Sequence, residues 1–544
     1  MYELEWYRGK LPFRLLSSDR DEGGFYYTKI HKGDVIMSRK IYVFDTTLRD
    51  GEQVPGAKLN LEEKLDVAVQ IAKMKVDMME VGFPSSSQGD FEAVKAISKR
   101  IGQEVCIAAL GRAVEADIDA IYQSICEAQN PLIHIVLGSS DVHVAKKFRK
   151  TPEQVIEMGA ASVKYAKKYL PQVQYSLEDA SRSDFEYMWK TIEAVVKAGA
   201  TIINIPDTVG FAVPEQFGKL IYRINDRLKN LNPNVLLSVH CHNDTGLATA
   251  NTLAAIRNGA DKVECTINGI GERAGNTSLE EVVMGIKLHE DYYGGCTSID
   301  TKKIYETSRM VSATMGLDVQ VNKAITGENA FAHSSGIHQD GLLKSKDVYE
   351  IMDPETVGAP PMELVLTARS GKHAFLHVTK KLGFEIQEEH IPEVFQKFLT
   401  VADQKKEIYD NDLLALFKSC ENVTCITDKE LWQLEDYQMT ATSTMPTATI
   451  KLSKGKKEVI SSSNGMGVID ALYSSIIEAV QYQIELIEYR INNLSRGKGS
   501  LGKVTTQIKY KDKLYQGKAI EQDVMKASAL AFINAVNKII LDVE

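Results

Sequence analysis

Short β-rich runs recur through the first half of the chain: IYVFDT (41–46), MMEVGF (78–83), VCIAAL (105–110), LIHIVL (132–137), VQYSL (173–177), IINIP (202–206), LLSVHCH (236–242) and VECTI (263–267). Between them, apolar residues fall at three- to four-residue spacing, the pattern of helices with one buried face. Residues 60–75 are one such stretch, with Asn60 at the cap position. Residues 151–170 are another. There Thr151 at the cap, Pro152 at the first helical position and Gln154 three residues after the cap make a capping-box pattern.

Near-continuous apolar strands alternating with helices predict a closed parallel barrel of about 250 residues. The competing architecture, an open doubly wound sheet, carries a Gly-rich phosphate loop after its first strand. Here that strand runs into DTTLRDGEQVPG, which lacks the spacing. The expected fold is α/β: a (β/α)8 TIM barrel over 38–300, helical linker subdomains over 301–430 and a C-terminal α/β domain over 431–544. In the last region, two β-rich runs each precede an amphipathic helix, an approximate duplication. Residues 1–37 read as an N-terminal extension, either poorly ordered or a misassigned start. They are charged and lack the continuous apolar segment of a secretory signal.

Composition narrows the classes. The 544 residues are 44% hydrophobic and 25% charged, as in soluble globular proteins, and the net charge of −9 argues against a nucleic-acid partner. No apolar run approaches the roughly 18–20 residues of a membrane helix. The seven cysteines are scattered and mostly lie in apolar runs, which suits free buried thiols in a reducing, cytoplasmic setting.

In a barrel of this kind, chemistry gathers at the C-terminal ends of the strands. Arg49 and Asp50 follow the first predicted strand, Glu80 lies in the second and His134 in the fourth. Ser176 and Glu178 end the fifth, Asn204 and Thr208 flank the end of the sixth, His240 and His242 end the seventh, and Asn276 follows the eighth. Strand residues two apart face the same side, so both imidazoles point to one place while Cys241 points away. Two imidazoles and a carboxylate can hold a divalent cation with positions left open. Asp50 supplies that carboxylate from the end of the first strand, separated from the seventh only by the eighth, and Asn276 can add a carbonyl oxygen. Asp244 is a further carboxylate close in sequence. The plain alternative is two satisfied strand histidines. Arg49 suits an oxyanion developing on a substrate, alongside a structural ion pair with Glu80.

Together, FDTTLRDGEQVPGAKL, MEVGFP, SLEDASRSD, NIPDTVGF, HCHNDTGLATAN, ECTINGIGERAGN and GENAFAHSSGIHQDG resemble the 2-isopropylmalate synthase family of the DRE-TIM metallolyases, from about residue 40 to the C-terminus. The resemblance implies condensation of acetyl-CoA with 2-ketoisovalerate and water to give 2-isopropylmalate and CoA, the first committed step of leucine biosynthesis, in a cytoplasmic homodimer. It implies Asp50, His240, His242 and Asn276 around a divalent metal (Mg²⁺, Mn²⁺ or Zn²⁺), with a monovalent cation such as K⁺ as a further cofactor. Arg49 would polarise the keto oxygen, Glu80 would complete the Asp-Arg-Glu signature, and Glu178 would act as an acid or base. Leu110, His134, Ser176, Asn204, Pro206 and Thr208 match positions lining the keto-acid pocket. His338 matches an acid/base position on a subdomain that reaches over the partner's barrel, with Tyr349 as a supporting donor.

The C-terminal region resembles the family's leucine-binding dimerisation domain. Gly465, Gly467 and Asp470 in NGMGVIDA, and Gly517 and Asp523 in GKAIEQDVMKASA, match its effector-facing loops. Met466 departs from the commoner Gly-Pro-Val pattern. LTARSGKHAF (366–375) puts Arg369 where the family commonly has histidine, so that histidine's role cannot be carried over. Competing readings are citramalate or homocitrate synthase, an acyl-CoA lyase or aldolase of the same barrel superfamily, and a non-enzymatic binding protein. Small Ser176 stands where citramalate synthases carry a bulky aromatic residue, and no clear cation awaits a second substrate carboxylate as in homocitrate synthases.

Overall fold

The computed structural model describes residues 15–20, 26–30, 39–333, 335–345, 348–360, 366–404, 408–420, 422–425, 430–442, 444–493, 501–511 and 513–543. The chain divides into two compact units, Met1–Val319 and Gln320–Glu544. In the extension, Leu15–Arg20 pairs antiparallel with Tyr26–Ile30, and the rest of residues 1–37 lies outside the described residues.

Among the described residues of the first unit, eight strands close into a barrel in chain order. They are β1 (Tyr42–Asp45), β2 (Met78–Glu80), β3 (Cys106–Arg112), β4 (Pro131–Gly138), β5 (Val173–Glu178), β6 (Ile202–Asp207), β7 (Leu236–Cys241) and β8 (Lys262–Cys265). The pair β8–β1 closes the circle in parallel register, Glu264 opposite Phe44. Each segment overlaps one of the predicted runs, with some ends trimmed and others extended. The helices between them start where the caps predicted. Asn60 and Thr151 both make complete capping boxes, with Glu63 and Gln154, ahead of Leu61–Lys73 and Pro152–Ala166. Such caps are each worth about 1 kcal/mol. The helix Ile304–Met315 also belongs to this unit, tied to the barrel rim by Asn268 Nδ2 donating to the Ser308 carbonyl (3.0 Å).

Strand alternation sorts the side chains. Val43, Met79, Ile133, Ile203, Val239 and Val263 are fully buried on one parity, facing the helices. On the other parity a lower interior layer is apolar, built on Phe44, Met78, Ala108, Leu132 and Ile202. Polar groups share this interior: Gln174 and Lys262 lie beside the apolar layer, and Glu80, His134, Ser176, Asn204, His240 and Glu264 are also buried on the inward parity.

The second unit begins with an α-rich region whose core is aromatic, Phe375 packing on Phe398 (centroids 4.8 Å apart) with Phe417 beside it. It continues as two three-stranded antiparallel sheets, each followed by a helix. One is β9 (Trp432–Thr440), β10 (Thr447–Lys454) and β11 (Lys457–Asn464), then Val468–Val480; the other is β12 (Glu485–Asn493), β13 (Gly502–Tyr510) and β14 (Lys513–Glu521), then Val524–Val543. The duplication predicted as strand–helix is therefore strand–strand–strand–helix, and Ile450, Leu472, Ile476, Ile508, Phe532 and Val536 join the halves in one core. Val524–Asp542 is long and apolar enough to cross a membrane, although no such run stands out in the sequence; it is a core helix here, two-thirds buried against its sheets.

Gly517, predicted on an effector-facing loop, lies instead inside β14. A Cβ there would stand 1.9 Å from the Ala531 carbonyl oxygen of the crossing helix, so only glycine permits this approach. Gly517→Ala is expected to cost about 1–3 kcal/mol through overpacking, seen as a lower midpoint for the C-terminal transition in calorimetry. An unchanged midpoint would contradict this packing.

Candidate metal centre at the barrel mouth

β1 ends at buried Asp45, which accepts from Thr47 N (3.1 Å) and Thr47 Oγ1 (2.8 Å). The turn so pinned delivers Arg49 and Asp50 to the mouth. β7 brings His240, and His242 follows with the same facing, held in a bridge with Asn276. The loop supplying Asn276 needs glycine: Gly271 has φ +153° and a Cβ there would meet Asn276 Nδ2 at 2.0 Å and Asp50 Oδ1 at 3.0 Å. The predicted set from distant parts of the chain therefore converges.

Asp50 Oδ2 lies 3.6 Å from His240 Nε2 and 4.0 Å from His242 Nε2, and the two Nε2 atoms are 3.2 Å apart. All three residues are buried. With ligand bonds of about 2.0–2.2 Å, donors spaced this way can share one ion. Asn276 Nδ2 donates to Asp50 Oδ1 (2.6 Å) and to the Ile270 carbonyl (3.1 Å), while its buried Oδ1 has no hydrogen-bond partner among the described residues. A bound cation would satisfy that oxygen. Burial alone would raise the pKa of Asp50; Arg49, then the two imidazoles, hold it well below the carboxylate range. Burial, then His240, push His242 down to about 4. Near neutral pH, Asp50 is ionised and His242 is neutral, the states metal binding requires. These residues fit a divalent ion, and their mixed nitrogen and oxygen donors accommodate Mg²⁺, Mn²⁺ or Zn²⁺.

Arg49 is fixed from two sides, Nη1 donating to Asp50 Oδ2 (2.6 Å) and Nε to Glu80. The ion pair expected with Glu80 is thus present and sets the guanidinium beside the ligand set. Glu80 also bonds His134 Nδ1. His134 Nε2 meets Ser176 Oγ (2.6 Å), which accepts from Asn204 Nδ2 (2.8 Å). His134, Ser176 and Asn204 therefore form one buried hydrogen-bonded patch. Leu110 lies opposite His134, and Pro206 opposite His240, in the strand register. Thr208 Oγ1 accepts from the Asp179 amide (2.9 Å), joining the loops after β5 and β6.

Glu178 sits at the rim, held by Lys147 Nζ (2.7 Å) and near His143 Nε2 (3.5 Å). Asp244 is not with the ligands; it forms a two-bond ion pair with Arg273 (2.7 and 2.9 Å). Cys241 is buried on the opposite parity from the imidazoles, as predicted. In the second unit, the rings of His338 and Tyr349 are 4.3 Å apart. Gly467 caps Val468–Val480, Gly465 N donates to the Pro446 carbonyl, and Asp470 accepts from Met466 N (2.8 Å). Asp523 accepts from Tyr437 Oη and Met525 N. Sequence reasoning missed Lys147, Gln174, Lys262 and Glu264. The last three were readable, being polar residues at inward parity in otherwise apolar strands.

Three family profiles match: HMGL-like over residues 40–311, "Homocitrate synthase post-HMGL domain-like" over 325–406, and "LeuA allosteric (dimerisation) domain" over 407–540. A 2-isopropylmalate synthase from Geobacillus sp. (strain Y412MC10) is 60% identical over 510 residues, 93% of this chain and 98% of that protein. Another, from Dictyoglomus turgidum, is 46% identical over 504 residues, 92% of this chain and 99% of that protein. Among solved structures, an HMG-CoA lyase from Acenitobacter baumannii is similar at 21% identity and TM-score 0.45, covering 53% of this chain and 94% of that one.

Asp50→Ala and His240→Ala are each expected to weaken Mn²⁺ binding at least about 100-fold while circular dichroism stays native-like, because each removes a donor from an open site. Unchanged Mn²⁺ titrations, followed by the paramagnetic resonance of the free ion, would remove these residues from the metal set.

Proposed function

The chain belongs to the 2-isopropylmalate synthase family, and from that premise we propose how its barrel mouth joins acetyl-CoA to 2-ketoisovalerate. The activity is 2-isopropylmalate synthesis, an acyl transfer with thioester hydrolysis. Asp50, His240, His242 and Asn276 would hold a divalent cation, which would supply Lewis-acid polarisation of the bound keto acid. Arg49, oriented by Glu80 and Asp50, faces the oxygen that gains charge when the acetyl carbon attacks the keto carbon. Such a preplaced donor is worth about 3–4 kcal/mol.

Glu178 is our acid/base residue near the substrate, with Lys147 keeping its carboxylate in place. A proton leaves the acetyl methyl, the new carbon–carbon bond forms, and the resulting alkoxide is protonated. Water then adds to the thioester carbonyl and CoA departs as the thiol. We assign His338 to acid/base work at the thioester and Tyr349 to support it, their adjacent rings being consistent with a shared task. The C-terminal module is a dimerisation and effector domain, and we take leucine, the end product, as its effector. Its loops around Gly465, Gly467, Asp470 and Asp523 are the proposed contact region. The working unit is then a homodimer acting on small molecules in the cytoplasm.

The observation carrying this reading is the convergence of three buried candidate ligands from the ends of β1 and β7 beside a fixed arginine. CoA release, compared with 2-ketoisovalerate, pyruvate and 2-ketoglutarate, tests it; a strong preference for 2-ketoisovalerate is expected. Ser176→Tyr should shift preference toward pyruvate, since each methyl accommodated is worth roughly 1–3 kcal/mol. Equal kcat/KM for the two keto acids in the native enzyme would overturn the specificity reading. Leucine inhibition is expected for the intact enzyme and should vanish when the chain ends near residue 430. Inhibition persisting unchanged after truncation, or no calorimetric leucine binding to the intact enzyme, would contradict a regulatory C-terminal module.

A further inference from the structure

Below the ligand set lies a buried pair that the mechanism above does not use. Glu264 and Lys262 sit two residues apart on β8, on the inward parity, at 1% and 0% exposure. Glu264 uses its two oxygens differently. Oε1 accepts from Gln174 Nε2 (2.6 Å) and lies 3.3 Å from Lys262 Nζ. Oε2 stands 3.1 Å from His240 Nδ1, off the N–H axis, while His240 Nε2 faces Asp50 and His242. Lys262 Nζ also donates to Gln174 Oε1 and lies 3.7 Å from the centroid of the Phe44 ring. The base of this cluster is therefore saturated, and the one oxygen left over is turned to the ring of a metal ligand.

We propose that Glu264, anchored by Lys262 and Gln174, is a positioning residue for the metal: it sets the ring orientation and tautomer of His240 so that Nε2 presents its lone pair to the cation. Metal-bound histidines commonly donate their other ring N–H to a carboxylate, and loss of that partner costs 10–100-fold in affinity. Among the described residues neither Nδ1 makes a well-aligned hydrogen bond, and the two rings differ in that only His240 Nδ1 has a carboxylate oxygen beside it, at 3.1 Å. His240 is therefore the ring that a neighbouring carboxylate can orient. Lys262 makes this possible: a carboxylate at this depth survives only with its charge compensated. This inference rests on the metal reading given above.

The test uses the metal-free full-length enzyme and Mn²⁺ alone, with bound ion followed by the paramagnetic resonance of the free ion. Glu264→Gln keeps shape and removes charge; it is expected to raise the Mn²⁺ Kd 10–100-fold in protein whose circular dichroism is native. A merely structural ion pair would lower the thermal midpoint and leave the Kd within about twofold, which would overturn the proposal. Should Glu264→Gln fail to fold, the double variant Lys262→Met/Glu264→Gln removes both charges together, leaving neither unpaired. It is expected to show the same loss, and native affinity in it would equally overturn the proposal. His242→Ala separates the two readings. If it binds Mn²⁺ as the native enzyme does, the metal reading itself fails. If it loses Mn²⁺ while Glu264→Gln does not, only the role of Glu264 fails.

Discussion

Inside the barrel, Arg49, Asp50, Glu80, Lys262 and Glu264 are drawn out of water together with His134, His240 and His242. A charge in such a place is stable only if it is paired and hydrogen-bonded. The described groups answer this by forming a closed circuit. Arg49 joins Asp50 and Glu80, and Glu80 joins His134. Gln174 carries the contact from His134 (2.9 Å) to Glu264. Glu264 stands beside His240, and His240 returns to Asp50. Three carboxylates in this circuit face two fixed cations, so positive charge is short. Asp50, His240 and His242 converge within this circuit, where a divalent ion would supply the missing charge.

The same circuit explains why substrate polarisation can be prepared before substrate arrives. Arg49 has no freedom to swing away, since two carboxylates hold its guanidinium. Ser176 and Asn204 are likewise locked through His134. Preorganised polar groups in a water-poor site stabilise developing charge without reorganising at the moment of reaction. A change at one point of the circuit should therefore be felt at others, and pairs of substitutions within it are not expected to add.

Much of this was legible in the sequence. Eight apolar runs and two capping boxes were enough for the barrel, because strand burial on both faces and helix caps leave local signatures. His240 and His242 were legible as a pair because the strand period is two. Asp50 was placed with them only by the rule that strand ends share a mouth. Asp244 was nearer in sequence but is neutralised by Arg273, a loop contact that no periodicity reveals. Glu264 was passed over because VECTI reads as an ordinary apolar strand unless its inward parity is followed residue by residue, and Lys262 because it lies one residue before that run. Gly517 was misplaced for a different reason. A glycine needed for helix–sheet approach and a glycine needed for a loop look alike until the crossing helix is seen.

Two imidazole nitrogens and the Asp50 carboxylate would hold one divalent ion at the mouth, where it would act on the keto acid. Pulsed paramagnetic resonance of the Mn²⁺-loaded enzyme reads this directly. The account requires coupling to two directly bound histidine nitrogens, lost in part in His242→Ala, and line broadening when 2-ketoisovalerate labelled with ¹⁷O at its carbonyl is added. Mn²⁺ bound without any nitrogen coupling, or with no effect of the labelled keto acid, would contradict it.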